Sequence, residues 1–169
     1  MEIMYLIIAI MGIVLPTISY LFWVKNVFGR YPTSYSGTYR MWEEKYNKGF
    51  IFTAWTGIES IFLIFTLSHY SDTIFQLAIA IICPLMLVLV GLYPTSIDKD
   101  TTKLHCIFAK LCAASAIVWL LCKEFYAVVG ILVAVGLIWS YFKKDYETLI
   151  MEMMAFLGAY IGIIISYLN

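Results

Sequence analysis

Charge is scarce in this sequence. Only 13% of its 169 residues are Asp, Glu, Lys or Arg, against about 25% in a soluble domain. That shortage excludes a water-solvated globule, because too few polar side chains exist to cover one. The formal net charge is zero, and no basic stripe interleaved with aromatics occurs, so nucleic acid is not an expected partner. Histidine is rarer still: the chain has only His69 and His105. They fall at alternate ends of the apolar runs and so on opposite membrane faces, where they cannot share a metal. No G-x-S-x-G, H-E-x-x-H or G-x-x-x-x-G-K-[ST] phrase is present, and no cofactor or metal is expected. The four cysteines lack C-x-x-C spacing and lie in or beside apolar runs. They suggest neither a disulfide framework nor a zinc site, and read as small packing residues.

What fills the chain is apolar. Hydrophobic residues make up 63% of it, and the mean hydropathy is +0.88. A hydrocarbon core of about 30 Å needs roughly 20 apolar residues per helix. Six runs approach that length, near residues 3–24, 50–67, 73–93, 104–122, 125–142 and 149–168. They predict an all-α, polytopic membrane protein, a six-transmembrane-helix bundle forming one domain over residues 1–169. The first run lacks a basic flank and an A-x-A-like cleavage site, so it reads as a retained helix rather than a signal peptide. Pro16 should kink that helix unless neighbours compensate. Between the first two runs, Tyr39, Trp42 and Tyr46 recur at helical spacing. The segment 38–48 reads either as a short helix lying in the membrane interface or as a plain loop.

Two of the polar breaks carry the same phrase. Gly29-Arg30-Tyr31-Pro32-Thr33-Ser34 and Gly91-Leu92-Tyr93-Pro94-Thr95-Ser96 both read G-x-Y-P-T-S, 62 residues apart. Duplicated hairpins would explain this; so would convergence, since Pro stops helices, Ser and Thr cap them, and Tyr suits an interface. The basic residues are one-sided. Lys25, Arg30, Arg40, Lys45, Lys48, Lys99, Lys103, Lys143 and Lys144 fall at one end of the predicted bundle, and Lys110 enters from it. Only Lys123 belongs to the other end. Basic short loops stay cytoplasmic. The expected location is therefore the plasma (inner) membrane, with both termini non-cytoplasmic.

Candidate site residues are the polar groups inside the runs. Glu59 lies near the middle of the second, a depth that costs roughly 2.5–3.5 kcal/mol even on the lenient insertion scale. Thr53, Thr56 and Ser60 share its helical side. Glu152 and Lys110 lie at matching depths in the sixth and fourth runs, where an ion pair is geometrically possible. With His105, Arg40, Tyr93 and Asp98 they form a candidate ligand-binding cluster open to the cytoplasm. The competing reading is structural: Lys110 and Glu152 snorkel to the interface, and Glu59 is a core group hydrogen-bonded to a neighbouring helix. Along the last run, Glu152, Ala155, Ala159, Gly162 and Ser166 make a stripe of small side chains, and Gly158 with Gly162 forms G-x-x-x-G. Its expected use is packing within the bundle, with homo-oligomerisation through the Gly158/Gly162 face as an alternative.

The residues Pro32-Thr33-Ser34-Tyr35-Ser36-Gly37-Thr38-Tyr39, and Gly91-Leu92-Tyr93-Pro94 followed by His105 and Ala109, resemble those of small bacterial six-span membrane proteins. They are also distantly similar to the DRAM-like autophagy-modulator family. The resemblance implies a six-span helical architecture and brings no catalytic residues. Animal members of that family are drawn with cytoplasmic termini, the reverse of the orientation that the basic loops imply here. The sequence leads to a protein that binds or moves a lipid or small solute through a cytoplasm-facing polar pocket. The expected partners are membrane lipids and a small solute. The alternatives are an intramembrane lipid-modifying enzyme and a structural or regulatory membrane subunit.

Overall fold

The computed structural model describes residues 2–95 and 99–168, and all regular structure among them is helical. Helix α1 (Glu2–Ala9), a π turn (Ile10–Val14) and α2 (Leu15–Phe28) form one continuous rod. Where a disturbance by Pro16 is expected, the helix has that π turn. A proline ring collides with the carbonyl four residues back, here that of Gly12. Widening the turn relieves the collision, and the Leu15 N–H bonds to the Ile10 carbonyl five residues earlier. Gly12 also sits directly on the Phe62 ring, leaving no room for a side chain. The rod ends at Gly29, whose φ of +71° suits glycine. It runs past the expected end at Val24 because Lys25 and Asn26 continue the helix into the polar zone.

Of the two readings of segment 38–48, a short helix or a plain loop, the structure has the helix, α3 (Gly37–Tyr46), and Asn47 ends it in the left-handed region. Trp42 is buried against Trp23 and Phe28. There follow α4 (Phe50–His69), α5 (Ile74–Leu92), α6 (Lys99–Cys122), α7 (Tyr126–Phe142), a 3₁₀ turn (Lys144–Tyr146) and α8 (Glu147–Leu168). Among the described residues, five helices are long and apolar enough to cross a membrane: Ile3–Phe28, Phe50–His69, Ile74–Leu92, Lys99–Cys122 and Thr148–Leu168. The sixth expected span, α7, is an apolar helix of 17 residues and falls short of that length. Helix α6 starts at Lys99, ahead of the expected residue 104, since helix geometry continues through the polar turn 99–103.

The helices alternate in direction. At one end of the bundle, Lys123 Nζ pairs with Asp72 Oδ2 at 2.6 Å, and Gln76 Nε2 donates to the Cys122 carbonyl at 2.9 Å. These contacts join the α4–α5 turn to the α6–α7 turn. The Tyr5 ring stacks on His69 at 3.5 Å and brings the start of α1 to the same end. At the opposite end, the Leu149 N–H donates to the Thr33 carbonyl at 3.1 Å, joining the first polar break to α8.

The interior has two apolar clusters. One gathers Ile13, Leu63, Leu67, Trp119, Leu120 and Ile163, and the other Tyr20, Val24, Phe52, Trp55, Val90 and Leu149. Gly158 and Gly162 are buried against Leu120, Leu132 and Trp119, so the small-residue stripe of α8 is used for packing within the chain. Large apolar side chains such as Phe65, Ile74, Ile131 and Leu137 point outward. A soluble monomer rarely exposes so much contiguous apolar surface; lipid is its natural solvent.

Candidate functional site

Glu59 sits midway along α4 and is wholly enclosed, at 0% exposure. Its Oε1 accepts a hydrogen bond from Thr17 Oγ1 on α2 at 2.7 Å. The same Thr17 hydroxyl meets the Tyr160 hydroxyl of α8 at 2.5 Å. Three helices therefore converge on one carboxylate through two hydroxyls. Among the described residues, the only donor near the carboxylate besides Thr17 is the Trp55 indole N–H one turn earlier on α4, which faces it without well-aligned hydrogen-bond geometry. A weakly bonded carboxylate in so dry a place costs part of the roughly 1–3 kcal/mol that a wholly unmet acceptor would.

The polar side expected on α4 is present but does not hold Glu59. The Thr56 hydroxyl donates to the Thr53 carbonyl, and Ser60 Oγ to the Thr56 carbonyl at 2.7 Å. Both close onto their own helix, as Ser and Thr do when no outside partner is in reach. Thr53 Oγ1 instead donates to the Gly91 carbonyl at 2.8 Å.

Above Glu59, toward the first polar break, Trp55 lies sandwiched between Tyr20 and Tyr35. The ring centroids are 4.8 and 5.0 Å away, and both planes lie within 6° of parallel. Each such pair contributes about 0.5–1.5 kcal/mol beyond its buried area. Tyr35 belongs to the break itself. Its backbone N–H donates to Glu152 Oε2 of α8 at 2.6 Å, and its carbonyl accepts from Thr38 Oγ1 at 2.6 Å. Thr38 in turn meets the Tyr20 hydroxyl at 2.6 Å. Phe156 closes the cluster against Tyr35, Trp55 and Tyr160. Burial holds the Tyr35 phenol well above its ordinary value of 10.0, and the carboxylates of Glu152 and then Glu59 push it further up.

Of the sequence-predicted residues, Glu59 and Glu152 flank this one aromatic cluster. Glu152 is held by the Tyr35 backbone, and Lys110 lies exposed on α6, so the envisaged Lys110–Glu152 pair does not form. Arg40 pairs with Glu44 on the exposed side of α3 and stays outside the cluster. Asp98 lies outside the described residues. Tyr93 is exposed, with its ring 5.5 Å from Phe108.

His105 is buried for a reason local to α5. Pro94 has no N–H to give the Val90 carbonyl. His105 Nδ1 sits 3.2 Å from that oxygen and 2.9 Å from the Tyr93 carbonyl, and caps the end of α5.

Thr17, Tyr35, Trp55 and Tyr160 are the site residues that sequence reasoning missed. A hydroxyl just after a proline, and a tyrosine next to a stripe of small residues, are the only signals that single out Thr17 and Tyr160. Among the described residues no group of three or more His, Cys, Asp or Glu is gathered closely enough to hold a metal ion. No protein-family model, no curated protein and no solved structure matches this chain.

Proposed function

We propose that the chain is a six-span integral membrane protein of the plasma membrane that binds or moves a small solute or a lipid head group at the Glu59 centre. In this reading α7 is the sixth crossing: at 17 residues it is about 25 Å long, close to the hydrocarbon thickness. The basic breaks face the cytoplasm and the termini lie outside. The observation that carries the function is the full enclosure of Glu59 where α2, α4 and α8 meet, with Thr17 its one well-aligned donor among the described residues. A carboxylate kept at that depth is a functional signal by default, and a ligand donor is what would complete it. The first polar break, folded over the centre through Tyr35, is the segment that has to move for a solute to enter.

A second reading rests on a different observation. The Tyr20–Trp55–Tyr35 stack and Phe156 fill the space around the carboxylates, which suits a structural or regulatory subunit whose polar core only fixes helix positions.

The two readings separate in lipid nanodiscs of phosphatidylethanolamine and phosphatidylglycerol. Native mass spectrometry of the wild type is expected to show a retained solute or lipid, reduced at least tenfold in Glu59→Gln. A wild type that retains nothing, together with a Glu59→Leu protein of higher thermal midpoint, overturns the binding reading and leaves the structural one.

A further inference from the structure

Two thiols that lie 29 residues apart in the sequence meet between α5 and α6. Cys83 Sγ is 3.9 Å from Cys112 Sγ and 3.5 Å from the Cys112 carbonyl oxygen. Cys83 is buried and Cys112 partly so. We infer that Cys83 and Cys112 are a modification site: they join in a reversible disulfide that ties α5 to α6 within the bilayer.

The geometry leaves little to do. A disulfide has its sulfurs about 2.05 Å apart, so each sulfur must travel about 1 Å. Both helices have the freedom to supply it. Pro84, the residue after Cys83, has no N–H to bond the Ala80 carbonyl, so α5 lacks one rung at this turn. On α6, Ala109 and Ala116 stand one turn to either side of Cys112 on the same side of the helix, and small residues there let the backbones close further. The remaining thiols are not placed to compete. Cys106 is exposed, and Cys122 lies at the far end of α6.

The chemistry balances with a lipid-soluble two-electron oxidant of the quinone class. The two S–H bonds break and one S–S bond forms. Both hydrogens, with two electrons, pass to the quinone and give the quinol. A dithiol reverses the step by exchange. Cys112 is open enough to be reached from the apolar side, beside the exposed Leu111. Water-soluble oxidants and reductants that do not enter the bilayer are kept away.

The test uses the full chain in phosphatidylcholine liposomes, treated with the membrane-permeant oxidant diamide, then unfolded in detergent and capped with N-ethylmaleimide. Of the four cysteines, two are expected to escape capping after oxidation, and dithiothreitol restores all four. A Cys106→Ser/Cys122→Ser double variant, whose substitutions lie away from the pair, is expected to go from two caps to none. Adding Cys112→Ser to it leaves one thiol capped with or without oxidant. The oxidised protein is expected to melt about 5–10 °C higher, since the bond closes a loop in the unfolded chain. Four caps after diamide, or a mapped bond that includes Cys106 or Cys122, overturns the assignment. A disulfide that forms without raising the midpoint overturns the tie between helices.

Discussion

The two G-x-Y-P-T-S breaks share their letters and little else. In the first, Gly29 stands outside the helix in the left-handed region, and nothing lies where its side chain would be. Tyr31 reaches back under the Lys25 ammonium at 4.7 Å, the Thr33 carbonyl accepts from Leu149, and Ser34 Oγ accepts from the Gly37 N–H at 2.9 Å. In the second, Gly91 is still inside α5. It is pressed against Thr56, whose hydroxyl occupies the place of a side chain, and its carbonyl accepts from Thr53. Pro94 leaves the Val90 carbonyl to His105. What surrounds each glycine decides its role: open space at Gly29, a neighbouring helix at Gly91. Over the described residues, 29–34 against 91–95, the repeated wording has not kept a repeated shape. Both follow a helix, but the first goes on to fold over the carboxylates, while the second keeps its glycine inside the helix it ends.

That contrast can be broken by substitution. Gly91→Ala is expected to cost about 2–3 kcal/mol, because a methyl group there overlaps Thr56. Thermal unfolding in detergent measures it, and most of the loss should return in a Thr56→Ala background. Gly29→Ala meets no neighbour and is expected to cost only about 1 kcal/mol, the strain of a left-handed residue. If the order of the two losses is reversed, Gly91 is not the glycine pressed against a neighbouring helix.

A smaller effect sharpens the comparison through Tyr35. Its phenol is raised above 10.0 in the folded chain, so above that pH the unfolded chain ionises first and stability falls as pH rises. Tyr35→Phe removes this component. Relative to wild type at neutral pH, the variant is expected to lose less stability at pH 11, by somewhat under about 1.4 kcal/mol. Parallel pH curves for the two proteins mean that Tyr35 is not enclosed as described.

Much of the fold was legible because lipid imposes a length on every apolar run. The runs at 50–67 and 149–168 became α4 and α8 within about two residues. The ends that moved, at Phe28 and Lys99, did so where polar residues keep helical geometry, which hydropathy does not see. Helix α3 was legible from three aromatics at helical spacing. The centre was legible only in its carboxylates. Glu59 announces itself by depth, yet its donor Thr17 lies 42 residues away and reaches it from another helix. Nothing in the spacing of Thr53, Thr56 and Ser60 tells that their hydroxyls point elsewhere. The pairing of Glu152 with a backbone N–H rather than Lys110 depends on where the first break folds, which no periodicity encodes. The Cys83–Cys112 meeting was hidden for the same reason.

The π turn at Ile10–Val14 sets the angular phase of the first helix. An α-helix advances about 100° per residue, so inward positions spaced by four drift steadily off the core. Ala9, Ile13 and Thr17 are spaced by four and all buried; the one wide turn cancels the drift. Chain length at this point thus carries information independent of side-chain chemistry. Winding Ile10–Val14 as regular α-helix with no residue removed would swing Thr17 about a quarter-turn away from Glu59 relative to the segment before it, whereas dropping one residue there as the turn tightens would leave Thr17 in phase.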